Sequence, residues 1–287
     1  NWGAERQHMS NLDEIVLQEI TELIDNDRLV LPTLPEVALK ARDTAEDANA
    51  SAKDLAQVIS NDAAMTARII KVANSPIMRG AREIEDVQMA IARLGITCIS
   101  NLVTGLAMEQ MFQATSDFID KAMRKSWTHS TEVAGIANVL ARHYTKLKPD
   151  QATLAGLVHN IGILPILTYA EDTGKLNDHI TLQNVIEKIH PLIGTKILES
   201  WDFPKELIDV PEYYLNFDRD TGTDRADYAD IVMIANLQTY IGKEHPFTAL
   251  DWQNIPAFGR VGLDPNVDDQ EGEDLSDEMD AAMAMLR

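Results

Sequence analysis

The segment ATLAGLVHNIGILPI, residues 152–166, places a histidine and an asparagine side by side in the most apolar stretch of the chain. Apolar residues recur from Leu154 to Ile161 with the spacing of one helix face, so we expect His159 and Asn160 on or beside a core-facing stripe. An unpaired buried polar group costs roughly 1 to 3 kcal/mol. The pair must therefore form hydrogen bonds with neighbours or ligate a metal, and the hydrogen-bonded core pair is the more common case.

Helix signals also delimit this segment. Pro149 and Asp150 suit a first helical turn, and Pro165 is expected to end the helix.

Length and composition indicate a globular protein. A chain of 287 residues that is 45% hydrophobic can form one large domain or two packed halves. The single cysteine, Cys98, excludes an intramolecular disulfide and is interpreted as a buried thiol in a reducing compartment. The first residues lack a basic-then-apolar signal, and we find no run of about 18 uncharged apolar residues. We therefore expect a cytoplasmic protein without a membrane partner.

The net charge of −21 disfavours phosphate-rich partners. No cluster of lysine and arginine is interleaved with aromatic residues, so nucleic acid is not an expected partner. Residues 264–287 contain nine acidic residues and one basic residue, and we interpret them as a solvated, mobile tail with at most a short helix at 279–286. Residues 218–230 are likewise interpreted as a solvated acidic loop.

Helical periodicity runs through the remaining chain, and no alternating strand pattern competes with it. The sequence therefore predicts an all-α protein. Pro191 is expected to kink its helix or to divide it in two. Predicted helices cover residues 12–23, 83–94, 96–112, 126–144, 152–166, 182–198, 204–214 and 225–241. Three more are predicted between the first two of these: one after Pro35, one that begins at Ser51, and one that is capped by Asn61 or Asp62 and runs to Ala73.

Polar groups stand on several of these apolar helices. They are His129, the His159–Asn160 pair, His190 and Asn236. In a helical bundle, inward-facing residues of neighbouring helices build a buried metal or ligand site. The other histidines, His8, His143, His179 and His245, are interpreted as surface or terminal residues, and Trp127 and Trp201 as core residues.

Several segments together resemble the HD-related output domain (HDOD) family of the HD metal-dependent phosphohydrolase superfamily. The resemblance covers roughly residues 29–241. The segments are LPTLPEVALKA at 31–41, NDAAMTARIIKVANSP at 61–76, AIARLGITCISNLV at 90–103, SWTHS at 126–130 and AGLVHNIG at 155–162.

The resemblance implies a multi-helical HD-like bundle. An N-terminal helical subdomain, residues 11–116, would pack on a degenerate HD half, residues 117–263, followed by the acidic tail, residues 264–287. Members of the family are mostly regarded as signalling or regulatory modules.

The resemblance also implies site residues. His129 matches the family's first histidine, His159 the histidine of its His-Asp pair, and His190 a later histidine. Asn160 and Asn236 stand where the family has metal-binding aspartates. The family's His-His pair falls near residues 213–215, where this chain has no histidine.

The two amides weaken any hard-metal site. One charge pair at about 4 Å is worth roughly 4 kcal/mol at an effective dielectric constant of 20, and Mg²⁺ prefers anionic oxygen. We therefore expect no metal cofactor, although His129 and His159 could hold a borderline ion weakly. The site would be a vestigial pocket.

Three functions remain open. The first is a signalling output module that binds a partner protein. The alternative is a metal-dependent phosphohydrolase that acts on a nucleotide or phosphodiester with a divalent metal. The third is a pocket that senses a nucleotide or another small molecule.

Overall fold

The computed structural model describes residues 11–266 and 270–287, and this part of the chain is entirely helical, without a β-strand. The all-α prediction is confirmed. Short 3₁₀ helices lie at Met108–Met111, Pro246–Ala249 and Trp252–Asn254. The α-helices are α1 (Asn11–Asp25), α2 (Glu36–Glu46), α3 (Ala52–Ser60), α4 (Ala63–Ala73), α5 (Val87–Leu94), α6 (Ile96–Ala107), α7 (Asp117–Tyr144), α8 (Pro149–Val158), α9 (Ile163–Thr173), α10 (His179–Ser200), α11 (Lys205–Tyr213), α12 (Tyr228–Gln238), α13 (Pro256–Val261) and α14 (Gln270–Met285).

Local sequence signals place most helix ends. Ser51 and Asp54 form a reciprocal capping box at the start of α3. Asp62 accepts a hydrogen bond from the Met65 amide at 2.9 Å and so caps α4. Gly174 ends α9 in the left-handed conformation, with φ of 64°.

The predicted helix over residues 152–166 is in fact two helices. The first ends at Val158, and the second begins at Ile163. Pro165 does not end a helix, because it lies in the first turn of α9, where its missing N–H has no partner within the helix. His159 and Asn160 therefore lie in the turn between two helices.

Pro191 is also tolerated within a helix. It lies inside α10, which continues from His179 to Ser200. The alternative in which the proline divides this segment into two helices is wrong.

Cys98 lies on α6 and is half-buried, whereas the sequence suggested full burial. Burial raises the pKa of its thiol to about 12, and nearby Asp150 adds to this effect. The thiol is thus protonated at neutral pH, as expected for a core cysteine rather than a reactive one.

Helix α7 is the central element of the second half, and it packs against α8, α9, α12 and α14. The helices approach closely where glycine replaces a side chain. A Cβ atom on Gly156 of α8 would lie 2.4 Å from the Cα of Ala134 on α7. A Cβ atom on Gly162 would lie 2.0 Å from the backbone oxygen of His190 on α10. Both contacts are between backbones, so no side-chain rotation could make room.

One stretch, Pro149–Thr173, is long and apolar enough to cross a membrane, with a mean hydropathy of 1.4. The sequence pattern did not predict this stretch. Of the 18-residue apolar window within this stretch, 89% is buried among other helices, as in a core helix. The bent pair Val87–Leu94 and Ile96–Met111 passes the same test only if the two helices are joined across a 120° bend.

The prediction of a solvated tail is wrong for the last turns of the chain. Helix α14 packs against α7, and four residues at its end or just after it are buried: Met279, Ala282, Met285 and Leu286. These residues share one helix face. The many acidic residues of the segment concealed this apolar face in the sequence.

The acidic loop at 218–230 is not fully solvated either. Asp230 is fully buried, and Arg260 binds it through two hydrogen bonds of 2.8 and 2.7 Å. Asp227 forms a capping box with Asp230 and pairs with Arg219 at 2.6 Å. Arg260 lies on α13, and Arg219 lies in the loop before α12. The network therefore attaches α13 and this loop to α12 in the core.

The close approach at Gly162 can be tested by substitution. Gly162→Ala should lower the free energy of unfolding by about 1 to 3 kcal/mol or more, because the new Cβ would meet the His190 carbonyl. Gly259→Ala is the matched control, since Gly259 is exposed on α13 and no other group lies within 4 Å of the place that its Cβ would take. That control should be neutral or stabilised by up to about 1 kcal/mol. Urea unfolding followed by circular dichroism gives both values, and equal stability of the two variants would contradict the proposed packing.

Candidate functional site

The structure brings the five predicted site residues into one group. His129 lies on α7, His159 and Asn160 in the turn after α8, His190 on α10 and Asn236 on α12. The rings of His129 and His159 are 5.6 Å apart between centroids. Together with Ser130 and Tyr214, which bond to members of this group, we call these residues the central polar cluster.

Asn160 is held at both ends of its amide by α7. Its Oδ1 accepts a hydrogen bond of 2.6 Å from the Ser130 hydroxyl, and its Nδ2 donates to the backbone oxygen of Ser126 at 3.3 Å. The Ser126 carbonyl can only accept, so this position favours an amide over a carboxylate.

His159 is buried, with one tautomer fixed by its backbone contact. Its Nδ1 lies 2.6 Å from the Gly156 carbonyl and must donate to it, so Nε2 carries the lone pair. Burial lowers the pKa of His159 to about 3, and neighbouring His129 adds to this effect. The imidazole is therefore neutral at physiological pH.

His190 and Tyr214 form a second buried unit. His190 donates from Nδ1 to the Ile186 carbonyl at 2.6 Å and accepts at Nε2 from the Tyr214 hydroxyl at 2.7 Å. Burial lowers the pKa of His190 to about 4 and raises the pKa of Tyr214. The Tyr214 ring also meets the His159 ring edge-on, with centroids 4.9 Å apart.

Tyr214 was not among the predicted site residues. The signal was the position itself, because residues 213–215 are where the family's His-His pair was expected. A tyrosine there occupies the space between His159 and His190 and bonds to the latter.

His129 is the half-buried member at the outer edge of the cluster. Its Nε2 lies 2.8 Å from Asn236 Oδ1, and with the amide oxygen as acceptor the histidine is the donor. Burial lowers the pKa of His129, although the bond to Asn236 opposes the shift.

An aromatic layer that the sequence analysis missed covers this edge. Tyr240 lies 5.6 Å from the His129 ring and stacks on His245, with centroids 3.8 Å apart. Phe247 meets both rings edge-on. His245 is therefore half-buried rather than an isolated surface residue, and burial lowers its pKa. No periodic signal predicts this layer, since most of it comes from the loop after α12.

The donor set does not fit a hard divalent cation. Across residues 11–266 and 270–287, no three His, Cys, Asp or Glu side chains lie close enough together to hold a metal ion. The cluster contributes no carboxylate, and Tyr214 already occupies the Nε2 lone pair of His190. Mg²⁺ and Mn²⁺ favour anionic oxygen ligands, and the amides at 160 and 236 are engaged by Ser130 and His129.

This all-helical bundle brings histidines and amides together in one buried cluster, and comparison with known proteins identifies it as an HD-superfamily regulatory or phosphohydrolase domain. Residues 31–217 match the HDOD domain family. This match covers well over half of the chain, and the chain belongs to the HDOD family.

Solved structures share the fold. A protein of Shewanella amazonensis SB2B, named "Putative metal-dependent phosphohydrolase", is 32% identical, with a TM-score of 0.86 over 97% of this chain and 100% of its own. A "Putative signal transduction protein" of Marinobacter aquaeolei VT8 is 22% identical, with a TM-score of 0.60 over 100% of this chain and 68% of its own. At that identity, the second likeness shows the fold alone.

A curated relative is much longer than the matched region. An uncharacterized protein of Treponema pallidum (strain Nichols) is 24% identical over 201 residues. The alignment covers 65% of this chain but only 38% of that protein.

The buried histidines predict a stability that falls in mild acid. The folded-state pKa values of about 4 for His190 and about 3 for His159 lie below the value of about 6.5 for an exposed histidine. Between these values the unfolded chain binds more protons, so the free energy of unfolding decreases as the pH falls below about 6.5. Each histidine contributes a loss of up to roughly 1.4 kcal/mol per pH unit.

Urea unfolding between pH 7.5 and 5 measures this dependence. His190→Gln should have a flatter dependence than the wild type, because one buried titrating group is removed. His179→Gln is the matched control, since His179 is exposed at the start of the same helix. If the free energy of unfolding of His190→Gln depends on pH as steeply as that of the wild type, His190 does not cause the acid sensitivity.

Proposed function

We propose that this chain is a regulatory output module that works by binding a signalling protein, and that its former metal site is now a structural joint. In this view the protein is a pseudoenzyme and uses no metal cofactor. The observation that carries the proposal is that side chains of the polar cluster form hydrogen bonds with one another. Asn160, His190 and Asn236 are hydrogen-bonded to Ser130, Tyr214 and His129, respectively.

The electrostatics support a role without hydrolysis. Metal-assisted phosphoester cleavage needs a cation that activates water, and a general acid or base needs a pKa near the working pH. The cluster has no carboxylate for the cation. The pKa values of His159 and His190, at about 3 and 4, leave both imidazoles neutral and poorly matched to proton transfer at pH 7.

The cluster has a clear structural task instead. Its hydrogen bonds and ring contacts connect α7, the turn after α8, α10, the end of α11 and α12. A buried network of hydrogen bonds rigidifies the surrounding helices. A rigid bundle of this kind can present a surface to a partner protein. The high negative charge disfavours nucleic acid as that partner, and we place the module in the cytoplasm.

One observation favours a phosphohydrolase as the second candidate. The Shewanella amazonensis protein that carries this name is 32% identical to the chain over nearly its whole length. In that case a divalent metal would be required, and a nucleotide or another small phosphodiester would be the substrate. A pocket that binds such a molecule without cleaving it is a related possibility.

Metal binding separates these candidates. We expect the purified wild type to contain no stoichiometric metal, to show no saturable Mn²⁺ binding by isothermal titration, and to leave bis(p-nitrophenyl) phosphate intact. Stoichiometric metal or metal-dependent cleavage by the wild type would overturn the proposal in favour of the phosphohydrolase.

The two amides provide a gain-of-function test. Asn160→Asp combined with Asn236→Asp restores two carboxylates, and the variant should be stabilised by Mn²⁺, by about 2.7 kcal/mol at 100 times the dissociation constant. Without metal it should be less stable than the wild type, because one new carboxylate would face the Ser126 carbonyl. The matched control is Asn49→Asp with Asn266→Asp, two exposed positions with the same charge change. Adding Tyr214→His tests whether the tyrosine blocks the ion.

A further inference from the structure

Basic residues are concentrated in two segments of this acidic chain. Residues 63–82 and 133–149 contain seven of the 25 lysines and arginines and none of the 46 acidic residues. The structure brings the two segments together, because Arg142 on α7 donates a hydrogen bond of 3.0 Å to the Ile77 carbonyl, in the connection between α4 and α5. We call residues 75–82 of this connection the basic loop.

Side chains from outside the basic loop hold its backbone in place. Asn74 joins the two ends of the connection, since it donates to the Ile84 carbonyl at 2.7 Å and accepts from the Ile84 amide at 2.8 Å. Arg93 on α5 donates to the carbonyls of Arg82 at 2.8 Å and Ala73 at 2.7 Å. The loop is therefore preorganised, which lowers the entropic cost of binding a ligand.

Hydrogen-bond donors without an acceptor gather at this loop. Within residues 11–266 and 270–287, the buried side-chain nitrogen and oxygen atoms without a partner are Ser75 Oγ and Arg93 Nε. Ser75 is the first residue of the loop, and a Cβ atom on Gly80 would lie only 2.9 Å from the Arg93 guanidinium. Arg93 Nε can only donate, and the Ser75 hydroxyl can also donate. Donors thus exceed acceptors at the base of the loop.

The exposed side of the loop offers further donors. Arg79 and Arg82 are exposed, and their guanidinium groups form no hydrogen bond or ion pair with another residue that the structure describes. The backbone N–H groups of Gly80, Ala81 and Arg82 also have no partner in this part of the chain. These two arginine side chains therefore do not help to hold the loop, and they are available to bind a ligand.

The acidic residues near these donors are Glu83, Glu85, Asp86 and Asp150. Asp86 caps α5 and accepts from the Met89 amide at 2.8 Å, and Asp150 accepts from Asn101 at 2.9 Å. Glu83 and Glu85 are exposed and form no ion pair with a described residue. In the same part of the chain, Arg93 and Arg142 bond only to uncharged oxygen atoms. Four arginine charges therefore face two free carboxylates, and the loop keeps a local excess of positive charge.

The ligand that this donor set requires is anionic and rich in acceptor oxygens. A phosphate monoester carries a charge of about −1.5 to −2 at pH 7 and three strong acceptor oxygens. The planar fork of an arginine binds two such oxygens in parallel. A carboxylate offers only two oxygens and one charge. The chain's net charge of −21 opposes anions at long range, but at 0.15 M salt the screening length is about 8 Å, so distant acidic residues have little effect.

We propose that the basic loop binds a phosphate monoester through the guanidinium groups of Arg79 and Arg82 and the amides of Gly80 and Ala81. The positive charge of Arg93 behind the loop strengthens the attraction. This site goes beyond the proposed function and does not depend on it, because it includes no member of the central polar cluster. Nucleoside monophosphates and phosphorylated side chains both carry the required group.

Isothermal titration of the full chain with inorganic phosphate at 0.15 M salt tests the site. We expect one saturable site in the wild type and at least tenfold weaker binding in Arg79→Gln combined with Arg82→Gln. Arg28→Gln combined with Arg225→Gln is the matched control, because it makes the same charge change at two exposed arginines elsewhere. The control should stay within twofold of the wild type. The absence of saturable binding, or an equal loss in both variants, would overturn the proposal.

Three further ligands distinguish the sources of the phosphate group. They are AMP, a phosphoserine peptide and the same peptide with glutamate in place of phosphoserine. Both phosphate esters should bind at least ten times more tightly than the glutamate peptide, and the tighter of the two identifies the site as one for nucleotides or for phosphorylated proteins. Equal binding of the glutamate peptide would overturn the proposal. Tighter binding of a short DNA strand than of AMP would also do so, because the loop would then belong to a nucleic-acid surface.

Amide chemical shifts of the unmodified protein locate the anion without any substitution. When inorganic phosphate is added, the largest shifts should fall on residues 79–82. If they fall instead on His159 and Asn160, the anion lies in the central polar cluster, which would overturn this proposal and favour the phosphohydrolase. Metal binding by the wild type would overturn the proposed loss of hydrolysis and leave the shifts of the basic loop unaffected.

Discussion

Two contacts between backbones organise the second half of this protein. At Gly156, helix α8 lies directly on Ala134 of α7, and at Gly162 the following turn lies directly on His190 of α10. Any side chain at either glycine would push the helices apart. Because both glycines flank the His159–Asn160 pair, the same contacts that set the helix spacing also carry this pair into the centre of the bundle.

The hydrogen bonds of the polar cluster at that centre run largely between its own side chains. Within the described part of the chain, the buried side-chain nitrogen and oxygen atoms that lack a hydrogen-bond partner are Ser75 Oγ and Arg93 Nε. Neither belongs to the cluster. The amides bond to Ser130 and His129, and Tyr214 donates to His190. The cost of burying these groups is thus met within the protein.

Local signals in the sequence predicted the helices, several of their caps and the residues that converge on the cluster. They failed where a distant partner decides the outcome. Pro165 looked like a terminator, but the break falls before it, where Gly162 meets α10. The charge of residues 264–287 concealed the face that packs against α7, and the burial of Asp230 depends on an arginine 30 residues away. The role of Tyr214 depends on packing that no periodicity reveals.

The pairing of Asp230 with Arg260 bears on how such modules can be recombined with other domains. Removing one partner of a buried ion pair typically costs roughly 3 to 5 kcal/mol. Arg260 lies more than forty residues beyond the end of the family match, and so a unit cut at residue 217 would also lack Asn236 and the whole of α12. The smallest piece that could be transferred intact between fusion proteins therefore extends at least to Val261. A boundary drawn at residue 217, where the family match ends, is too short for a folded unit.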